Sequence, residues 1–131
     1  MDGFLILDKP TGITSAECVY KLRSVLGIKK IGHCGTLDPL ATGLLPISIG
    51  EGTKFSNYLT DKDKLYEVVI KFGLETDTGD ITGKIVSKSQ KSYSLSSLET
   101  EVKKIEGFQD QLPPMYLSLI HISEPTRRTI I

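Results

Sequence analysis

A chain of 131 residues, 39 % hydrophobic and 24 % charged, has the make-up of one soluble globular domain or part of one, which excludes a disordered or fibrous protein and two domains of ordinary size. Its 16 basic and 16 acidic side chains cancel, which argues mildly against a nucleic-acid binder, since phosphate affinity comes from Lys and Arg. No apolar run approaches the roughly 20 residues of a membrane-spanning helix, and "FLILD" lacks the flanks of a signal peptide, so a cytoplasmic protein is expected.

The charge is unevenly spread. Residues 1–60 carry Lys9, Lys21, Arg23, Lys29, Lys30 and Lys54 against Asp2, Asp8, Glu17, Asp38 and Glu51, whereas 61–116 is net acidic. Cys18 and Cys34 stand far apart without paired spacing; both are read as reduced thiols, with neither a disulfide nor a metal site.

In chain order, "GFLIL" at 3–7 reads as a buried strand ended by the turn "DKPTG". Thr14 and Glu17 form a capping box, and Val19, Leu22 and Leu26 recur at helical spacing before Gly27 closes the helix. A short strand is expected at 28–31. "LLPISI" at 44–49 is a further strand, which Pro46 assigns to an edge or a bulge.

"LYEVVIKF" at 65–72 alternates, with Tyr66, Val68, Ile70 and Phe72 on one face. The loop "ETDTGDITG" leads to a strand at 84–88, and "SKSQKSYSLSS" is a surface loop. A last helix near 96–106 has Ser96 and Glu99 as its capping box, Leu98, Val102 and Ile105 as its stripe, and Gly107 as its stop. These elements lack βαβ alternation and predict an α+β fold: a mixed, largely antiparallel sheet with flanking helices.

The chemically suggestive stretch is "GHCGTLDPLATGLLPI" at 32–47. It has no Walker ending, "DTGDITG" lacks calcium-loop spacing, and there is no Gly-x-Ser-x-Gly elbow. Cys34 beside His33 is a poor nucleophile and base pair, because sequence neighbours in an extended segment point apart. Asp38, followed by Pro39, serves equally well as a helix N-cap or as a reactive carboxylate. The surrounding Gly32, Gly35 and Gly43 favour the second reading, since they let the backbone approach a ligand.

"GHCGTLDPLATGLLPISIGEGTK" closely resembles the catalytic motif of the bacterial tRNA pseudouridine synthase B (TruB) family. "GFLILDKPTGITS", "DKLYEVVIKFGLETDTGDITG" and "QLPPMY" are similar to three further segments of that family, in the same order. The likeness covers 1–116 and implies the N-terminal portion of a pseudouridine synthase catalytic domain. It implies an isomerase that converts a T-arm uridine of tRNA to pseudouridine, with no metal or organic cofactor, and a monomer is expected.

By that likeness Asp38 is the catalytic aspartate. Tyr66, His33, Gly35, Thr36 and Leu37 bind the substrate, and Lys9, grouped with these substrate contacts, belongs with Pro10 to a signature that supports the loop. Lys29 and Lys30 are candidates for the RNA backbone.

After Tyr116 the family's Ser-Ala and Lys, its later strands and its Gly-Thr-Tyr-Ile-Arg segment do not follow. That segment's arginine normally pairs with the aspartate. Residues 117–131 are therefore read as a non-family tail, a truncation or sequencing read-through, and the fragment alone as inactive. The remaining alternative is a non-catalytic RNA-binding module of the same fold.

Overall fold

The computed structural model describes residues 1–110 and 127–130 and falls into two compact units, Met1–Lys64 and Leu65–Ile131. The first runs β1 (Gly3–Lys9), α1 (Ser15–Leu26), β2 (Ile31–His33), β3 (Gly43–Ile49), a 3₁₀ helix (Gly50–Phe55) and α2 (Ser56–Thr60). Its sheet has the order β1-β3-β2 and is antiparallel throughout, with Leu7 opposite Leu45 and His33 opposite Ile47.

The helix α1 begins as its residues dictate. Thr14 accepts the Glu17 N–H, and the Glu17 carboxylate accepts from the Thr14 N–H at 2.7 Å and its hydroxyl at 2.9 Å. Those donors, the backbone one foremost, hold the Glu17 carboxyl below the usual range. Gly27 ends the helix in the left-handed region at φ 65°, where a Cβ would be strained. The helix packs on β2, and Cys18 and Val19 close over Ile31, Leu45, Ile47 and Ile49 to form the core. Leu26, expected in the apolar stripe, is exposed, whereas Cys18, not expected in it, is buried.

Two expectations about the strands are corrected. Pro46 lies in the central strand, not at an edge. Its carbonyl accepts the Cys34 N–H at 2.8 Å, so its nitrogen faces the same side, just past His33, the last residue of β2, where the ladder ends and a missing donor costs least. The strand β1 is not buried: Phe4, Leu5 and Ile6 are exposed, because β1 is the edge strand and α1 covers the β2 side.

On the opposite sheet face, buried Ser48 donates to the Gly32 carbonyl and shares a 2.9 Å hydrogen bond with Ser56, tying β3 to α2. The 3₁₀ helix and α2 were not legible in "GEGTKFSNYLT". Here Gly52 lies so close to β1 that a Cβ would overlap the Gly3 carbonyl.

The second unit contains the antiparallel pairs β4 (Leu74–Thr76) with β5 (Ile85–Lys88) and β6 (Gly107–Asp110) with β7 (Arg127–Ile130), plus α3 (Leu95–Lys104). "LYEVVIKF", expected as a strand, is not in a ladder, and no described strand pairs with it. The cap of α3 is Ser94, which accepts the Ser97 N–H, instead of Ser96 with Glu99; Gly107 opens β6. "QLPPMY" and most of the expected tail lie outside the described residues.

The turn joining β4 to β5 is organised by Asp80, whose carboxylate accepts from the Thr82 hydroxyl at 2.5 Å, the Thr82 N–H at 2.8 Å and the Thr78 hydroxyl at 2.8 Å. These bonds, that of the Thr82 hydroxyl first, lower its pKa. The folded value lies below the ordinary 3.8, so the unfolded chain binds the proton first, and the turn's contribution is intact above 3.8 and fades as pH falls through the folded value. The Thr82 amide resonance is accordingly expected to titrate with a midpoint below pH 3.8. A midpoint at or above the ordinary aspartate value would contradict the assignment.

Candidate active site

The segment 34–42 leaves β2 at Cys34 and returns at Gly43, forming an excursion between neighbouring antiparallel strands. Asp38 is at its exposed part and no helix follows it. The Ala41 N–H donates to the Asp38 carbonyl at 3.0 Å, so Asp38-Pro39-Leu40-Ala41 is a β-turn with Pro at its second position. The N-cap reading is thereby overturned, and Asp-Pro shapes a turn.

The segment that holds this loop is "DKPTGITS", between β1 and α1. The Pro39 carbonyl accepts from the Gly12 N–H at 2.7 Å and from Lys9 Nζ at 3.2 Å. Thr11 Oγ1 donates to the Leu40 carbonyl at 3.0 Å. Ser15 Oγ donates to the Leu37 carbonyl at 3.2 Å and accepts the Leu37 N–H at 3.0 Å. The Leu37 side chain packs against the core cluster. Asp38 thus stands between a residue locked on Ser15 and a residue locked on Lys9 and Gly12.

Lys9 is wholly buried, and its three ammonium donors go to the carbonyls of Pro10, Ile13 and Pro39 at 2.8, 2.7 and 3.2 Å. An ammonium has three donors and all are used. Lys9 is therefore a strut beneath the loop, with nothing left to offer a substrate.

Asp38 itself is exposed, and among the described residues no donor reaches its carboxylate. His33 is half-buried, and its Nδ1 lies 2.5 Å from the Gly35 carbonyl. A carbonyl only accepts, so Nδ1 carries a proton and donates it to Gly35. Gly35 has φ 102°, a conformation that a side chain would strain, and the Lys64 Cε stands 3.9 Å from where its Cβ would be. Thr36 is exposed.

The remaining expected residues are placed differently. Tyr66 is an exposed residue of the second unit, in the unpaired segment. Lys30 is held by Glu51 at 2.7 Å, which removes it as an uncommitted backbone contact; Lys29 is exposed. Cys34 and Cys18 are buried free thiols, so Cys34 is not presented as a nucleophile. A cleft of about 440 Å³ lined by Lys54, Asn57, Tyr58, Asp61 and Lys62 shares no residue with the loop. Among the described residues no three His, Cys, Asp or Glu side chains gather to hold a metal, and no helix is long and apolar enough to cross a membrane.

Sequence reading missed Ser15 and Lys64. A serine directly after a helix cap reads as ordinary first-turn chemistry, and its partner lies 22 residues away. Nothing in local spacing announces such a contact.

The chain was compared with known proteins. Residues 23–127 match the family model described as TruB family pseudouridylate synthase (N terminal domain). The tRNA pseudouridine synthase B of Chromobacterium violaceum is 46% identical over 125 residues, covering 95% of this chain and 41% of the relative. That of Azoarcus sp. (strain BH72) is 47% identical, with 95% and 42% covered. The chain thus spans about two fifths of the length of the curated relatives it matches. Among solved structures, a chain of a Cbf5-Nop10-Gar1 complex matches with TM-score 0.59 at 24% identity, covering 96% of this chain and 31% of that one. An H/ACA RNP bound to a substrate RNA containing 2'-deoxyuridine matches with TM-score 0.56 at 25% identity, with 85% and 30% covered. The α+β, antiparallel reading of the fold agrees with these neighbours.

Proposed function

Since the chain belongs to the TruB family of pseudouridylate synthases, we propose that it forms the aspartate-bearing part of a cytoplasmic, monomeric tRNA pseudouridine synthase that isomerises a T-arm uridine. The observation that carries this reading is an exposed carboxylate without a described partner, Asp38, on a loop whose backbone is fastened on both sides.

The reaction breaks the C1′–N1 bond, turns the uracil, and joins C5 to C1′; the C5 proton is lost and N1 gains one, so the product is an isomer of the substrate. Positive charge develops on the sugar as the first bond breaks, and an ionised Asp38 meets it there, as a glycosidase carboxylate does. A carboxylate on a preorganised loop loses little freedom on reaching the sugar, which favours the charged transition state. The uridine must leave its stack at a cost of roughly a few kcal/mol. His33, next to the loop, offers a polar contact that offsets it. In this reading Tyr66 supplies an aromatic face for the extruded base, and no cofactor is required because no net oxidation or group transfer occurs.

The test is a chimera in which residues 1–110 of this chain replace the matching segment of the Chromobacterium relative. Incubation with an unmodified tRNA transcript is expected to place pseudouridine in the T-arm, read as carbodiimide-dependent reverse-transcription stops. A folded chimera that leaves the transcript unmodified, beside an active parent enzyme, would refute the proposal.

A further inference from the structure

Ser15 is 2 % exposed, yet it carries a hydroxyl. It is the first residue of α1, a position whose side chain commonly faces water. Its Oγ instead makes both bonds to one residue of the loop, accepting the Leu37 N–H at 3.0 Å and donating to the Leu37 carbonyl at 3.2 Å. Leu37 directly precedes Asp38. The Leu37 carbonyl belongs to the amide plane that contains the Asp38 nitrogen, so fixing that carbonyl fixes the plane from which the Asp38 Cα and side chain project. Holding the Leu37 N–H as well fixes the plane before it, and together the two bonds pin both soft dihedrals of Leu37.

The other end of this lever is equally firm. Ser15 follows Thr14, whose capping box sets the start of α1, and the next turn of the helix buries Cys18 and Val19 in the core. Lys9 and Gly12 act only after Asp38, on the Pro39 carbonyl. Before Asp38, Ser15 is the described polar side chain that binds the Leu37 backbone.

We infer that Ser15 is a positioning residue for the isomerisation: its hydroxyl latches the Leu37 backbone to α1 and so sets the direction of the Asp38 carboxylate. It touches no substrate. This rests on the catalytic reading of Asp38 for its kinetic consequence, but not for its structural one. Loss of the latch leaves two loop groups without their partner, and misplacement of a reacting group by about 1 Å costs up to roughly a hundredfold in rate.

Ser15→Ala and Ser15→Thr are compared in the 131-residue chain by amide hydrogen exchange and in the chimera by kinetics. In Ser15→Ala the Leu37 amide is expected to exchange about tenfold faster while the Ile47 amide of the core stays protected. In the chimera kcat is expected to fall roughly 10- to 100-fold with KM within about twofold, because binding does not use Asp38 as the chemistry does. Ser15→Thr keeps the oxygen and is expected to return kcat to within about threefold. Equal loss in Ser15→Ala and Ser15→Thr, a rise in KM without a fall in kcat, or an unchanged Leu37 exchange rate would each overturn the inference. An inactive chimera with native Ser15 would refute the proposed function instead, leaving the exchange experiment to decide the latch.

Discussion

Replacing Asp38 by Asn in the chimera is expected to lower kcat by at least about a thousandfold while leaving folding stability within about 0.5 kcal/mol. Both halves follow from the position of the residue. The Asp38 backbone makes the turn bond to Ala41, and Asn suits the first turn position as well as Asp does. The side chain is exposed and contacts no described donor, so the fold does not depend on its charge. Asn is nearly isosteric but cannot carry the negative charge that, in the proposed reaction, meets the sugar as the C1′–N1 bond breaks. Retained pseudouridine formation in Asp38→Asn would leave the loop as a structural element only and favour the non-catalytic RNA-binding reading.

The second large effect is expected at Lys9. Lys9→Met keeps the length and apolar character of the side chain but removes three charge-assisted donors, so the Pro10, Ile13 and Pro39 carbonyls each lose a partner. One such bond contributes about 1.5–3 kcal/mol, and the group left behind bears a desolvation penalty. The Pro39 carbonyl keeps the Gly12 N–H, which limits the loss there, and a net destabilisation of roughly 2–4 kcal/mol is expected. Urea unfolding reads it as a lowered midpoint at unchanged slope. A midpoint within error of the native chain would show that the buried ammonium is dispensable and that the loop is held by its other contacts.

Lys9 and Asp38 also show how chemistry and architecture divide within one short region. In the sequence both are charged residues in Pro- and Gly-containing turns, and both read as candidates for the substrate. Exposure separates them: the lysine is inside with every donor satisfied, and the aspartate is outside with no partner among the described residues. A buried charge is tolerated only when its hydrogen-bonding capacity is filled. That condition makes Lys9 structural and leaves Asp38 as the residue of the two that is open to a substrate.

Several elements were legible without coordinates because their causes are local. The capping box of Thr14 and Glu17, the left-handed stop at Gly27, the apolar run of β3 and the Gly-rich approach to Asp38 depend on residues within a few positions of one another. The motif "GHCGTLDPLATGLLPI" marked the loop for the same reason, since Asp38 and the glycines around it are adjacent in the chain. Where local cues are shared between alternatives, the reading failed. Asp-Pro begins either a helix or a β-turn, and the bonds from Gly12, Thr11 and Ser15 to Pro39, Leu40 and Leu37 accompany the turn. Ser94 and Ser96 both precede a helical pattern, and the one that caps α3 is the one whose oxygen meets the Ser97 N–H.

By itself, then, the amino-acid sequence determined the family, the loop and its aspartate, together with the start and stop of α1. The tertiary structure decided what non-local pairing controls: Pro46 in a central strand, β1 exposed at an edge, "LYEVVIKF" outside any described ladder, and Lys9 and Ser15 clamped onto the loop from another part of the chain. The physical reason is range. Propensity and capping act over one turn of chain, whereas burial and hydrogen-bond satisfaction at residue 37 or 39 depend on partners more than twenty positions away.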